Sequence, residues 1–213
     1  MDYLKQIEKI KLRLLQPLPG IKAQERMAAR VIPMPHSIPK TARPSAVLIL
    51  FFPINDELHL VFIKRAEDGK AHSGQISFPG GKSESEDADL SATAIREANE
   101  EVGIMSEEIE MLGQLTSLYI PVSNFNVYPF VAFSKQRPRY SIDKKEVAKI
   151  LEIPLEMLFH LERKTVTRVT SPADKTFVRD VPAYQLEDGT IIWGATAMIL
   201  SEFEVVLSEL KDL

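Results

Sequence analysis

The sequence predicts an α/β fold around one core, and three observations carry that expectation. Strand-like and helix-like segments interleave along the 213 residues instead of grouping by type. Ala46 to Phe52 is continuously apolar, the pattern of a strand buried on both faces. Asp87 to Val102 is rich in Ala, Leu, Arg and Glu and stops at Gly103, as a helix does. The expected organisation is one domain over 1–213, opening with a helix and a Pro-rich arm that ends at about residue 45.

Each element follows from its local pattern. Tyr3 to Leu15 sets Leu4, Ile7, Ile10 and Leu14 at helical spacing among Lys and Arg, a surface helix docked on its own domain. Pro17, Pro19, Pro33, Pro35, Pro39 and Pro44 make the next segment an extended arm, with one helical stretch around Ala23 to Val31. After the Ala46 strand, Pro53 to Glu57 reads as a turn and Leu58 to Ile63 as a second strand ending in Lys64 and Arg65. Glu67 to Gly74 is a polar loop, Gln75 to Phe78 a short extended piece, and Pro79-Gly80-Gly81 a break. Glu110 to Leu118 and Val127 to Ser134 read as strands, and Glu156 to Leu161 as a short helix. Thr165 to Val169, Ala183 to Leu186 and Thr190 to Trp193 are strands, the last two joined at Asp188-Gly189. Ala195 to Leu210 closes the chain as an amphipathic helix.

Composition excludes whole classes of function. Lys and Arg number 26 against 30 Asp and Glu, so no basic surplus exists to grip nucleic-acid phosphates. With no cysteine, disulfides, thiolate metal sites and cysteine nucleophiles are excluded. No segment approaches the roughly 20 apolar residues that cross a bilayer, and the N-terminus lacks a signal peptide's apolar core. A cytoplasmic protein that acts on neither membrane nor nucleic acid is expected.

The chemistry concentrates in Arg96-Glu97-Ala98-Asn99-Glu100-Glu101-Val102-Gly103-Ile104. At about 100° per residue, Glu97, Glu100 and Glu101 share one stripe, beside an arc of Ala94, Ile95, Ala98 and Val102 suited to burial. Like charges one turn apart repel. A solvated acidic face would tolerate this; a divalent cation would turn it into attraction, since Mg²⁺ and Mn²⁺ take carboxylate oxygens. Gly80 and Gly81 let backbone approach a ligand closely.

Gly81, Asp87, Arg96, Glu97, Glu100, Glu101, Gly103 and Ile104 resemble the Nudix box, G-x5-E-x7-R-E-U-x-E-E-x-G-U with U apolar. Asp87 stands where Glu is expected, and eight residues instead of seven separate it from Arg96. Upstream, Arg65-Ala66, Lys70, Gly74 and Phe78-Pro79-Gly80-Gly81 resemble the coenzyme A pyrophosphatase signature L-L-T-x-R-S-x3-R-x3-G-x3-F-P-G-G. Ala66 replaces Ser, Lys70 replaces Arg, and Val61-Phe62-Ile63 replaces the L-L-T start. The likeness runs from about Ala46 to Leu207, including Glu146-Val147, Ile153-Pro154-Leu155 and Ile192-Trp193-Gly194-Ala195-Thr196.

The resemblance implies an α/β/α sandwich on a mixed β-sheet and a Mg²⁺- or Mn²⁺-dependent pyrophosphohydrolase. Its substrate would be a small nucleotide, coenzyme A or a derivative. Glu97, Glu100 and Glu101 are then metal ligands with Gly81 adding its carbonyl, one of the three handles the attacking water, and Arg96 holds Glu100. Arg65, Lys70, His72, Gly80 and Phe125 are expected at the substrate, with Tyr119, Ser123, Asn124 and Trp193 as further candidates. Glu146 and Glu152 compete for the extra carboxylate that such enzymes bring from outside the box. Two rivals are a Nudix hydrolase of ADP-ribose, a dinucleotide or another nucleotide, and a nucleotide-sensing module without catalysis. The oligomeric state is left open, a homodimer included.

Overall fold

The computed structural model describes residues 2–29, 38–67, 72–160, 163–170 and 178–210. Its centre is β1 (Arg43–Ile54), which explains why Ala46 to Phe52 is apolar without alternation. One edge of β1 pairs in parallel with β7 (Phe125–Phe133), from Arg43 opposite Phe125 to Phe51 opposite Phe133. The other edge pairs antiparallel with β2 (Glu57–Arg65) near one end and β4 (Gly80–Lys82) near the other. The sheet is therefore mixed. It is completed by β3 (Ile76–Ser77) and β8 (Val147–Pro154) on β2, and by β5 (Glu110–Gln114) and β6 (Leu118–Ile120) on β7.

The two faces of β1 carry different cores. Ala46, Leu48, Leu50 and Phe52 pack toward Ala94, Ala98 and Val102 of α3 (Leu90–Val102). Ile49 and Phe51 pack on the opposite side with Phe203 of α5 (Gly194–Ser208) and Ile7, Ile10 and Leu14 of α1 (Asp2–Leu14). Burying a side chain of this size stabilises by about 1.5–3 kcal/mol, so the double-sided run fixes which strand is central. The result is the expected α/β/α sandwich. A second sheet, β9 (Lys164–Thr170), β10 (Val178–Gln185) and β11 (Ile191–Trp193), is wholly antiparallel. Among the described residues no helix is long and apolar enough to cross a membrane.

Several expectations need correction. Pro53 belongs to β1 and the turn is only Asn55-Asp56, both at positive φ (49° and 66°), a two-residue hairpin that these side chains tolerate. Asp87 lies before the box helix, whose N-cap is Asp89 accepting from the Ala92 amide at 2.9 Å. The Glu110 to Leu118 segment is two strands with a break after Gln114. The β8 strand has no counterpart in the sequence reading. The helical stretch of the arm is α2 (Ile21–Gln24) with a 3₁₀ turn through Met27; positions 30–37 lie outside the described residues. The short helix expected from Glu156 is α4 (Leu155–Leu158). Helix α5 is not amphipathic: Thr196 through Phe203 are all buried. Helix α1 buries three of its four periodic residues and leaves Leu4 exposed.

Candidate active site

The box helix is fixed at both ends, and this decides where its carboxylates point. At the C-terminal end Gly103 adopts φ 76° and its amide reaches the Ala98 and Asn99 carbonyls. The Ser141 amide bonds the Val102 carbonyl at 2.9 Å, and the Asp143 amide bonds the Glu101 carbonyl at 3.0 Å. These bonds dock the 141–146 segment on the helix end, while the Ala66 amide donates to the Glu146 carbonyl at 2.8 Å. Glu146 is thus carried between the end of α3 and the end of β2.

The glycines lie over the helix. Gly80 faces Val47 and Gly81 faces Ala46 in the β1–β4 ladder. A Cβ on Gly80 would come within 2.3 Å of the Ala46 carbonyl oxygen, and its φ of 150° also favours glycine. A Cβ on Gly81 would meet the Glu97 carboxylate at 2.4–2.6 Å. Gly80 has no room for a side chain, and one at Gly81 would have to displace the Glu97 carboxylate, so backbone and carboxylates meet directly.

Glu101 is the most buried member of the stripe, its side chain 2% exposed. Its Oε2 accepts the Gly80 amide at 2.9 Å and its Oε1 accepts Arg65 Nη1 at 3.4 Å. Burial pushes its carboxyl up to about 7 against those two stabilising partners, and the charges of Glu97 and Glu146 push the same way. Glu97 is also raised, first by burial, with Arg96 opposing and the Glu100 and Glu146 charges adding. Glu100 stands apart: its side chain is 58% exposed and is held by Arg96 Nη1 at 3.0 Å.

Arg96 is fully committed. Nε and Nη2 reach the two oxygens of Asp87 at 2.8 and 3.1 Å, Nη1 reaches Glu97 and Glu100, and Nη2 also reaches the Lys82 carbonyl. The paired guanidinium holds the Asp87 carboxyl well below the usual carboxylate range. Asp87 also accepts from the Thr93 hydroxyl and the Glu84 amide. The expected Arg96–Glu100 bond is present, and sequence reasoning missed the stronger Asp87–Arg96 pair. The signal available was position: an acidic residue one turn ahead of the helix at the box's first carboxylate.

The remaining expected residues divide. Of the two extra carboxylates, Glu146 joins Glu97 and Glu101 electrostatically. Glu152 does not: Arg137 and the Tyr140 hydroxyl hold it farther along β8. His72, at φ 68° with its Nδ1 3.1 Å from Gln75 Oε1, lines a cavity of about 750 Å³ with Lys64 and Trp193. Lys64 pairs with Ile76 of the α5-side core, so this cavity opens on that side of β2, away from Glu101 on α3. Phe125 sits opposite Arg43, three residues before the Ala46–Gly81 pair, with the Arg43 guanidinium 4.1 Å over its ring. Tyr119 is buried and bonds Asn124 through its hydroxyl at 2.9 Å; the Ser123 carbonyl accepts from Arg43. Lys70 lies outside the described residues.

Among the described residues no ready-made cage of three or more His, Cys, Asp or Glu is closed around a point. The donor set nonetheless fits a hard divalent cation in its chemistry: the Glu97 carboxylate lies where a Cβ on Gly81 would stand, Glu101 accepts the Gly80 amide, and the charge of Glu146 acts on both. Ser77 Oγ is a buried hydroxyl without a hydrogen-bond partner, and strand alternation from the core residue Ile76 turns it toward the same face.

Residues 42–170 match the NUDIX domain. The chain is 38% identical over 191 residues to the uncharacterized Nudix hydrolase NudL of Yersinia enterocolitica serotype O:8, covering 89% of this chain and 86% of the relative. The protein of the same name from Pectobacterium atrosepticum is 33% identical over 150 residues, or 70% of this chain and 76% of that one. A MutT/nudix family protein from Enterococcus faecalis shares the fold with a TM-score of 0.51 at 16% identity, over 84% of this chain and 66% of its own.

Proposed function

The chain belongs to the Nudix hydrolase family, and from that premise we propose that it cleaves the pyrophosphate bond of coenzyme A or a derivative, using Mg²⁺ or Mn²⁺. The products are 3′,5′-ADP and 4′-phosphopantetheine or its acylated form. One observation carries the hydrolytic reading: Glu97 lies against Gly81 and Glu101 accepts the Gly80 amide, both with their carboxyls pushed up by burial and by neighbouring negative charge. The coenzyme A assignment is supported by the signature-like residues Arg65, Gly74 and Phe78-Pro79-Gly80-Gly81, which lead directly into that backbone.

Nudix hydrolases generally use divalent metal ions. Glu97 and Glu101, with Glu146, Glu100 and the Gly81 carbonyl, are the groups that would hold one, and when bound it supplies positive charge against the phosphate oxygens. Hydrolysis joins a water oxygen to one phosphorus while the bridging oxygen leaves with the other phosphate, so one water proton must be accepted. One carboxylate of the cluster, among Glu97, Glu100 and Glu101, takes that proton or orients the water. The Gly80 amide fixes Oε2 and leaves Oε1 to the loosely held Arg65. Arg96 holds Glu97 and Glu100 in register, and Arg65 can donate to a substrate phosphate.

The test is a substrate panel of coenzyme A, acetyl-coenzyme A, ADP-ribose and diadenosine polyphosphates, with Mg²⁺ or Mn²⁺ and product masses recorded. The proposal expects coenzyme A compounds to give 3′,5′-ADP. Turnover of ADP-ribose or a dinucleotide with coenzyme A inert would reassign the substrate within the family, and nucleotide binding without turnover would leave the sensing reading.

A further inference from the structure

Arg65 and Arg96 are the two guanidinium groups bonded to the acidic stripe, and they are held in opposite ways. Arg96 uses all three nitrogens on fixed partners. Arg65 makes one side-chain bond among the described residues, to Glu101 Oε1 at 3.4 Å, with its side chain 33% exposed. That distance is well beyond the roughly 2.7–2.9 Å of a firm charge-assisted bond. Its backbone, by contrast, is anchored at the end of β2, with its amide on the Gln75 carbonyl at 3.0 Å and Val147 opposite it just after a register shift. A fixed backbone with a loosely engaged tip is the arrangement of a side chain with two positions.

The partner explains the first position. Glu101 is almost wholly buried among other carboxylates, and a buried negative charge without a counter-charge is costly. Resting on the proposed cation-binding reading, we infer that Arg65 is the resident counter-ion of Glu101: it competes with the divalent cation for that carboxylate and, once displaced, turns its guanidinium to the substrate's phosphates. A cation and Arg65 cannot share Oε1 without like-charge repulsion, and the released fork matches phosphate geometry. Cation binding would thereby prepare the substrate's anion site.

The distinguishing experiment measures Mn²⁺ binding without substrate, by electron paramagnetic resonance and calorimetry, on wild type, Arg65→Gln, Arg65→Lys and Glu101→Gln/Arg65→Gln. Thermal melting confirms that each is folded, and Arg65→Lys keeps the charge if Arg65→Gln fails to fold. Removing the competitor is expected to tighten Mn²⁺ about fivefold in Arg65→Gln, the scale of a partly exposed pair. Arg65→Lys should stay near wild type, and Arg65→Gln should add nothing once Glu101 is Gln. With Mn²⁺ saturating, imidodiphosphate should bind Arg65→Gln more weakly than wild type. Equal or weaker Mn²⁺ binding by Arg65→Gln, or unchanged imidodiphosphate binding, overturns the exchange while leaving the cation site standing. A wild type that binds no Mn²⁺ overturns both.

Discussion

Arg96 grips Asp87 with Nε at 2.8 Å and Nη2 at 3.1 Å, joining the box helix to the loop that precedes it. The pair is part-buried, with the Asp87 side chain 5% exposed, and it also holds the arginine that steadies Glu97 and Glu100. Asp87→Asn should lower stability by about 1–3 kcal/mol, the cost of losing a charged hydrogen-bond partner. The pH dependence follows from sign. The folded carboxyl sits below its unfolded value, so its stabilisation is full above about pH 4 and is lost as pH falls toward the depressed folded value. The stability gap between wild type and Asp87→Asn, measured by chemical denaturation from pH 7 to pH 3, should therefore narrow toward the acid end.

Glu101 has the opposite sign. Its folded carboxyl is raised to about 7, so its contribution is greatest below the ordinary glutamate range and is lost as pH rises through 7. In cation-free buffer at pH 8, Glu101→Gln should melt at a higher temperature than wild type, because a neutral amide removes a buried charge. A lower melting temperature would show that the Gly80 amide and Arg65 outweigh burial.

The two glycines should fail differently. Gly80→Ala drives a Cβ into backbone, 2.3 Å from the Ala46 carbonyl and 2.6 Å from Val47 Cα, and should cost several kcal/mol or prevent folding. Gly81→Ala meets only the Glu97 carboxylate and should fold, with Glu97 displaced and Mn²⁺ affinity reduced. Melting curves and Mn²⁺ titration of both variants separate the cases.

Glu146 and Glu152 offer a paired contrast. Glu146→Gln should reduce turnover at least about tenfold, as loss of a carboxylate from the charged cluster requires. Glu152→Gln should leave kcat nearly unchanged, since its partners are Arg137 and Tyr140.

Glu202 ties three parts of the chain together away from the cluster. Its buried carboxylate accepts the Gly20 amide at 3.0 Å, Gln24 Nε2 at 2.8 Å and Thr116 Oγ1 at 2.6 Å. Glu202→Ala should destabilise by about 3 kcal/mol through the donors it strands, with Mn²⁺ affinity intact.

What could be read from the chain alone has a physical boundary. The central strand was legible because Ala46 to Phe52 must be apolar on both faces, and the box helix because its composition and Gly103 stop are local. Strand β8 was not, because Val147 to Pro154 alternates weakly and its pairing with β2 joins residues far apart in sequence. The three glutamates were visible at helical spacing, whereas their unequal burial depends on the Gly80–Val47 register, which no local pattern encodes. The same limit explains Glu152, a candidate for the extra carboxylate whose partner Arg137 lies in the loop before β8.

The central claim is that Glu97 and Glu101, beneath Gly80 and Gly81, hold the cation that drives phosphoanhydride cleavage. Crystals grown with Mn²⁺ and imidodiphosphate, measured at the manganese absorption edge, address it most directly. An anomalous peak within coordinating distance of Glu97 and Glu101, with the diphosphate against it, is the predicted result. Manganese bound elsewhere, with these two carboxylates bare, would contradict it.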